Sequence, residues 1–333
     1  MAQAFELRCI ALLRSLDLAR ADEAIEILPL AGGVSSDIAR VRVGDRSYCV
    51  KFALDRLRVA EEWYAPTRRN RSEYAWLEFA SGIEPTAVPR LFGRSEAEGG
   101  FAMEFLSGPN VVLWKDTLLR GAPKLAEAVA VASTLGMIHA ASAVGPFDRA
   151  LFDNSEDFFT LRIEPYLVFT ATHHPEVAAE LLAVADRLNA ASAALVHGDV
   201  SPKNIFFRGD RPILLDAECA TMGDPGFDVS FCLNHLVLKA IHRPAVRTEI
   251  LNSARGFWDA YAAHIDWEEP ASLEARVCTL LPALMLARVD GKSPVEYLSP
   301  GNQDCVRRIA GPLIKRPSPD LAETLAKIAE AAS

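Results

Sequence analysis

The sequence predicts an α+β fold of two lobes, an N-terminal antiparallel sheet with one inserted helix followed by a larger helical C-terminal lobe. Three observations carry that prediction. Residues 25–52 alternate apolar and polar side chains around the turn signals "GGVSSD" and "GDR", which is the period-two pattern of half-buried strands. Beyond Pro123 the apolar spacing turns helical, with Leu125, Val129, Ala132, Leu135 and His139 on one stripe. Between helical stretches, "ALVHGDVSPKNIFFRGDRPILLDAEC" reads as two very short strands around a turn, with polar residues exposed at their ends.

The elements follow in order. "MAQAFELRCIALLRSLDLAR" carries charges throughout and reads as an amphipathic helix rather than a secretory leader. "IEILPLA", "IARVRV" and "SYCVKF" are three antiparallel strands. The long polar connection "ALDRLRVAEEWYAPTRR" follows, and the basic set Arg56, Arg58, Arg68, Arg69 and Arg71 reads as a solvated face. "NRSEYAWLEFASG" is a helix that Asn70 caps and that ends near Gly82. "AVPRLFG" and "GFAMEFL" are two further strands, closed by Ser107-Gly108-Pro109. This assigns residues 1–106 to the first lobe and 107–333 to the second. No residue from Ala128 to Phe147 carries a full charge, the one stretch that suggests a membrane span. Ser133, Thr134, Gly136, His139, Ser142 and the Gly145-Pro146 break assign it to a buried helix instead. Residues 176–194 form another Ala/Leu-rich helix, and helical patterns resume from Val229 with Pro270, Pro282, Pro294 and Pro300 as punctuation.

Composition narrows the function. A chain of 333 residues, half of them apolar, buries a large core. A formal net charge of -9 argues against nucleic acid as a partner, since coating phosphates takes excess Lys and Arg. The six cysteines are scattered without a C-x-x-C pair, so neither a zinc site nor a disulfide framework is signalled, and a reducing, cytoplasmic location fits. The sequence holds no G-x-x-x-x-G-K-[ST] loop, G-x-G-x-x-G fingerprint, H-E-x-x-H pair or G-x-S-x-G elbow.

The chemistry concentrates in residues 197–216. Asp199 and Asn204 lie in a loop after the apolar "AALV", and Asp216 follows the apolar "PILL". Such a layout brings a carboxylate, an amide oxygen and a second carboxylate toward one cleft. Hard oxygen donors on short loops suit Mg2+, which takes one or two carboxylates plus substrate phosphates. Asn204 and Asp216 are the metal candidates, and Asp199 is left to accept a hydrogen bond from an attacking hydroxyl.

His197, Gly198, Asp199 and Asn204 form H-G-D-x-x-x-x-N, and with Asp216 in "LLDAEC" the sequence resembles the aminoglycoside phosphotransferase and choline kinase family, small-molecule relatives of protein kinases. The resemblance implies a bilobal protein-kinase-like fold, ATP and Mg2+ as cofactors, and transfer of phosphate to a small-molecule alcohol. It further implies a phosphate-covering loop at Gly32, Gly33, Ser35 and Ser36, although Asp37 stands where the family often has asparagine. Lys51 lies on the strand face of Cys49, opposite Tyr48, Val50 and Phe52. By resemblance that face is the cleft side, and Glu73 is its carboxylate partner. A capping box of Asn70 and Glu73 competes for that carboxylate, and Glu61, Glu62 and Glu78 are alternative partners. The backbone of Glu104 to Leu106, with Met103 at the edge, would receive adenine. "MGDPGFDVSF" matches a family signature in which Asp224 and Asp228 are scaffolding, and His139 reads as a core residue. "ARVDGKSPVEYL" at 287–298 resembles a segment of a bacterial branch and gains no role from its residues. Trp258, Asp259, Asp266, Trp267, Glu268 and Glu269 suit a cationic acceptor or helix caps, which leaves aminoglycoside-, choline- and sugar-like acceptors open. A catalytically silent nucleotide-binding regulator and a protein kinase are the competing functions.

Overall fold

The computed structural model describes residues 2–30, 35–56 and 66–332. Helix α1 (Ala2–Ser15) precedes β1 (Ile25–Pro29), β2 (Ser36–Val43) and β3 (Arg46–Ala53); α2 (Arg69–Ile83), β4 (Leu91–Ser95) and β5 (Gly100–Glu104) follow. The five strands form one antiparallel sheet in the order β1-β2-β3-β5-β4. Alternation sorts its side chains. Tyr48, Val50 and Phe52 pack with Cys9, Leu12 and Leu13 of α1, whereas Cys49 packs with Trp76, Leu77 and Ala80 of α2. Lys51 is therefore delivered to the α2 face, as strand parity requires.

Three local expectations are corrected here. Asn70 sits inside the first turn of α2 and donates its side-chain amide to the Lys51 carbonyl at 3.3 Å. It is not the cap: Arg68 holds that position, and Asn70 Oδ1 accepts no hydrogen bond among the described residues. Arg69 is buried at 1% exposure rather than solvated, and Arg68 donates to Asp157 at 2.8 Å and 3.1 Å. The strand expected over "AVPRLFG" begins only at Leu91; Pro89 has no N–H to give a ladder.

The second lobe opens with β6 (Val111–Leu113) and α3 (Trp114–Arg120), then the long α4 (Leu125–Val144). Helix α5 (Ser155–Phe158) runs through a π-helical stretch, Phe159–Val168, into α6 (Phe169–His173), and α7 (Ala178–Ala190) follows. Strands β7 (Ala194–Val196), β8 (Ile205–Arg208), β9 (Arg211–Leu214) and β10 (Thr221–Gly223) carry the loop that resembles a kinase catalytic loop. Helices α8 (Gly226–His242), α9 (Arg247–Ala262), α10 (Pro270–Asp290), α11 (Pro300–Lys315) and α12 (Leu321–Ala331) complete the lobe. β7 pairs with β10, and β8 with β6 and β9, so two small antiparallel sheets flank the loop. Among the described residues, α4 and α10 are long and apolar enough to cross a membrane. Both are core helices, α4 packed on α9 and α10 on α8 and α11.

Candidate active site

Asp228, fully buried at the start of α8, fixes the loop. Its carboxylate accepts the N–H of His197 at 2.6 Å and of Gly198 at 2.8 Å, and lies 3.2 Å from His139 Nε2. Tyr261 Oη lies 2.8 Å from the other ring nitrogen of His139. Gly198 has φ +79°, and a Cβ there would meet Cys219 Cβ at 2.7 Å and its carbonyl oxygen at 2.9 Å; only glycine fits. His197 Nδ1 accepts the Asp199 N–H at 3.1 Å, so its Nε2 carries the proton that reaches the Leu215 carbonyl at 3.1 Å. Burial pushes this imidazole below its usual pKa, in keeping with the neutral ring.

Short bonds also link the segments that carry the three predicted oxygen groups. Asn204 donates its side-chain amide to the Asp199 backbone carbonyl at 3.1 Å, and its backbone carbonyl accepts the Leu215 N–H at 2.9 Å. The next residue, Asp216, has φ +70°, a left-handed conformation that strains a non-glycine backbone and is typical of functional sites. Lys51 Nζ donates to Glu73 at 2.7 Å and also to Asp216. Glu73 thus serves Lys51 and not the helix cap. Burial opposes ionisation of Asp216, but Lys51 and Lys203 outweigh it and hold its carboxyl below the usual value.

Asp199 is 5% exposed. Its Oδ2 accepts Arg162 Nη2 at 3.0 Å and lies 3.2 Å from Lys203 Nζ. Burial would raise its pKa, yet Lys203 and Arg162 hold the carboxyl far below the usual range. Oδ1 is buried without a hydrogen-bond partner among the described residues, so one oxygen is pinned and the other is unpaired.

Arg162, from the π-helical stretch, also donates Nε to the Gly198 carbonyl at 2.5 Å. It is a positioning residue that the sequence reading missed, as are Lys203 and the Arg69–Glu218 pair. Arg69 Nε donates to Glu218 at 3.1 Å, while its terminal nitrogens reach the carbonyls of Pro66 at 2.9 Å, Leu54 at 2.5 Å and Ser35. This ties the sheet lobe to the segment just after Asp216. Arg162→Met is expected to lower turnover about 10²-fold through misplacement of Asp199. Loss of the guanidinium also raises the Asp199 pKa, so the acid limb of the pH–rate profile moves to higher pH. A limb that stays put would leave Arg162 only a structural role.

Other expected site residues fall as follows. Gly32 and Gly33 lie outside the described residues, as do Glu61 and Glu62. The Ser35 carbonyl is occupied by Leu54 N–H at 2.9 Å and by Arg69, whereas the Ser36 hydroxyl is buried without a protein partner among the described residues. Met103 is buried beside Cys49 on the Lys51 face. Glu104 has its N–H on the Arg90 carbonyl at 2.8 Å and its carboxylate on Arg208, so that N–H is not open to adenine. Glu104 instead lines a cavity of about 780 Å³ with Arg90, Arg208 and Arg211, which Lys51, Asp199 and Asp216 do not line. The suggested cation cage is not assembled: Trp258 is in the core, Glu268 is neutralised by Arg276 at 2.7 Å, and Asp259, Asp266 and Glu269 are exposed. Among the described residues no group of three or more His, Cys, Asp or Glu side chains is placed to hold a metal. One carboxylate and one amide oxygen fit a cation whose remaining ligands are phosphate oxygens and water.

A sheet lobe with a buried Lys–Glu pair, together with a loop holding one pinned aspartate and a second aspartate just after β9, defines the kinase class of phosphotransferase. The model of the phosphotransferase enzyme family matches residues 26–286, and the chain belongs to that family. It is an ATP-dependent phosphotransferase acting on a small molecule. Methylthioribose kinase of Pectobacterium atrosepticum is 26% identical over 322 residues, covering 78% of this chain and 79% of its own. The methylthioribose kinase of Exiguobacterium sibiricum is 26% identical over 279 residues, with 75% and 71% covered. Among solved structures, an amicoumacin kinase in complex with AMP-PNP, Ca2+ and Ami matches with a TM-score of 0.59 at 14% identity, over 95% of this chain and 97% of that one. A choline/ethanolamine kinase family protein from Mesorhizobium loti matches with a TM-score of 0.51 at 18% identity, over 98% and 99%. These structures share the fold.

Proposed function

We propose that this protein transfers the γ-phosphate of ATP to a hydroxyl of a sugar-like alcohol, with Asp199 as the base and Mg2+ as the divalent ion. The observation that carries the reading is Asp199 itself, a buried carboxylate with Oδ2 held by Arg162 and Lys203 and Oδ1 without a hydrogen-bond partner among the described residues. Oδ1 orients the acceptor hydroxyl and takes its proton late, because the transition state is loose and positioning dominates. Asn204 and Asp216 would hold Mg2+, which when bound neutralises charge on the phosphate oxygens. Lys51, kept in place by Glu73, draws the phosphates toward Asp216. Ser36 contacts the phosphates, and Met103 with the backbone of Phe105 and Leu106 receives adenine. Residues 1–106 form the nucleotide lobe and 107–333 the acceptor lobe. Six free cysteines suit the reducing cytoplasm.

Both curated relatives are, by name, methylthioribose kinases, which supports a polyol over a choline-like or aminoglycoside cation. The presence of Lys51, Asp199 and Asp216 together favours turnover over silent nucleotide binding. The test is calorimetric titration of ATP with and without Mg2+, beside ADP release with a panel of polyols. Asp216→Ala is expected to bind ATP in the absence of Mg2+ and to lose its strengthening by Mg2+. Strengthening that survives would remove Asp216 from the metal site, and failure of the native protein to bind ATP would end the proposal.

A further inference from the structure

Next to Asp199 the helical lobe holds a second polar cluster that phosphate transfer does not use. Asp228, His235 and Lys239 are seven and four residues apart on α8, which places them on one stripe. The helix that fastens the catalytic loop therefore also presents an imidazole and an ammonium. Lys239 is 1% exposed. Among the described residues it has no carboxylate at ion-pair distance: Nζ reaches only the His235 carbonyl at 3.4 Å and lies 4.9 Å from the centre of the Tyr297 ring. From α10, the buried Arg288 uses Nη1 on the Tyr166 hydroxyl at 3.2 Å, on Ser293 Oγ at 2.8 Å and on the Ser293 carbonyl. Its Nε is buried without a partner among the described residues, and so are His235 Nε2, both ends of the Asn234 amide and the Tyr297 hydroxyl.

The charge around this cluster is one-sided. Burial, then Lys115 and Arg288, push the Lys239 ammonium down to about 7. The nearby carboxylate, Glu296, is already paired with Lys115 at 2.5 Å. His235 is held well below its usual value by burial, then by Lys239 and Arg288, and it also feels Asp199 and Lys203, which ties the cluster to the base. Buried polar atoms in this number need partners. Water satisfies hydrogen bonds but leaves the Arg288 guanidinium, and Lys239 in its protonated form, uncompensated, whereas an anion does both.

The segment 287–298 acquires a role here. A Cβ on Gly291 would lie 2.4 Å from the Ala287 carbonyl oxygen and 3.0 Å from that of Pro165. Glycine thus lets the turn close onto the π-helical stretch, where Lys292 binds Glu164 at 2.8 Å and 2.9 Å. That turn delivers Ser293 to Arg288 and Tyr297 to Lys239.

We propose that the acceptor alcohol carries an anionic group, a carboxylate or a phosphate, which seats against Lys239 and Arg288 while its hydroxyl reaches Asp199. The assignment rests on the phosphotransfer reading above. It is tested by ADP release and by melting temperature in the presence of Mg2+ and AMP-PNP, using glycerate against glycerol, ribose 5-phosphate against ribose, and methylthioribose and choline as neutral and cationic references. At least one anion is expected to exceed its neutral counterpart about 10-fold in kcat/KM or, if unreactive, to raise the melting temperature when its counterpart does not. The two pairs distinguish carboxylate from phosphate. Arg288→Lys and Lys239→Met are each expected to raise KM for that anion about 10-fold while changing kcat less. Lys239→Met is also expected to melt higher than the native protein in the absence of acceptor, because it removes a buried lone cation. Preference for a neutral or cationic alcohol, no effect of any anion on a protein that binds AMP-PNP, or a KM unmoved in both variants overturns the assignment. Failure of the nucleotide itself to bind overturns the phosphotransfer reading instead.

Discussion

Asp199→Ala is expected to lower kcat by about 10²–10⁴-fold, the usual worth of a positioned general base, which is roughly 3–5 kcal/mol on the barrier. Nucleotide affinity should change little, since Lys51, Asn204 and Asp216 remain. The loss is expected in kcat more than in KM, because Oδ1 acts on the hydroxyl as it attacks. Single-turnover measurements with saturating MgATP isolate that step. A purified Asp199→Ala protein that turns over at the native rate would refute the assignment of the base.

The second large effect is on stability. Asp228 accepts two consecutive backbone N–H groups and lies against His139, all of them buried. Asp228→Ala leaves those donors without an acceptor, and breaking a buried charged network of this kind costs about 3–5 kcal/mol. Chemical denaturation reads the loss as a lower midpoint. Asp228→Asn, which keeps one accepting oxygen, should fall between native and alanine. A change in stability within about 0.5 kcal/mol for Asp228→Ala, the size of an ordinary surface substitution, would show that the loop is held by something else.

Much of the fold and the loop was legible because the signals are local. Period-two alternation marked β1 to β3, and the same parity put Lys51 on the face of Cys49 and α2. His197, Gly198, Asp199 and Asn204 fall within eight residues of chain, so the resemblance to a kinase loop was readable from one short stretch. Lys203 was equally visible beside Asn204 and was passed over. What stayed hidden depends on distant partners. Arg162 meets Asp199 only through tertiary packing, and it sits in a π-helical stretch containing Pro165, where the wider turn blurs the 3.6-residue period. Arg69 looked like one of five solvated cations; its burial is possible because Glu218 and three carbonyls receive it. The acidic residues near Trp267 looked available to a cation, but Arg276 had claimed Glu268.

Helix α8 anchors the loop that carries Asp199 at its first turn and holds His235 and Lys239 two and three turns farther along. Substitutions in those distal turns stand two to three turns of one continuous helix away from the Asp228 anchor, so the polarity there can change while the bonds at His197 and Gly198 stay in place.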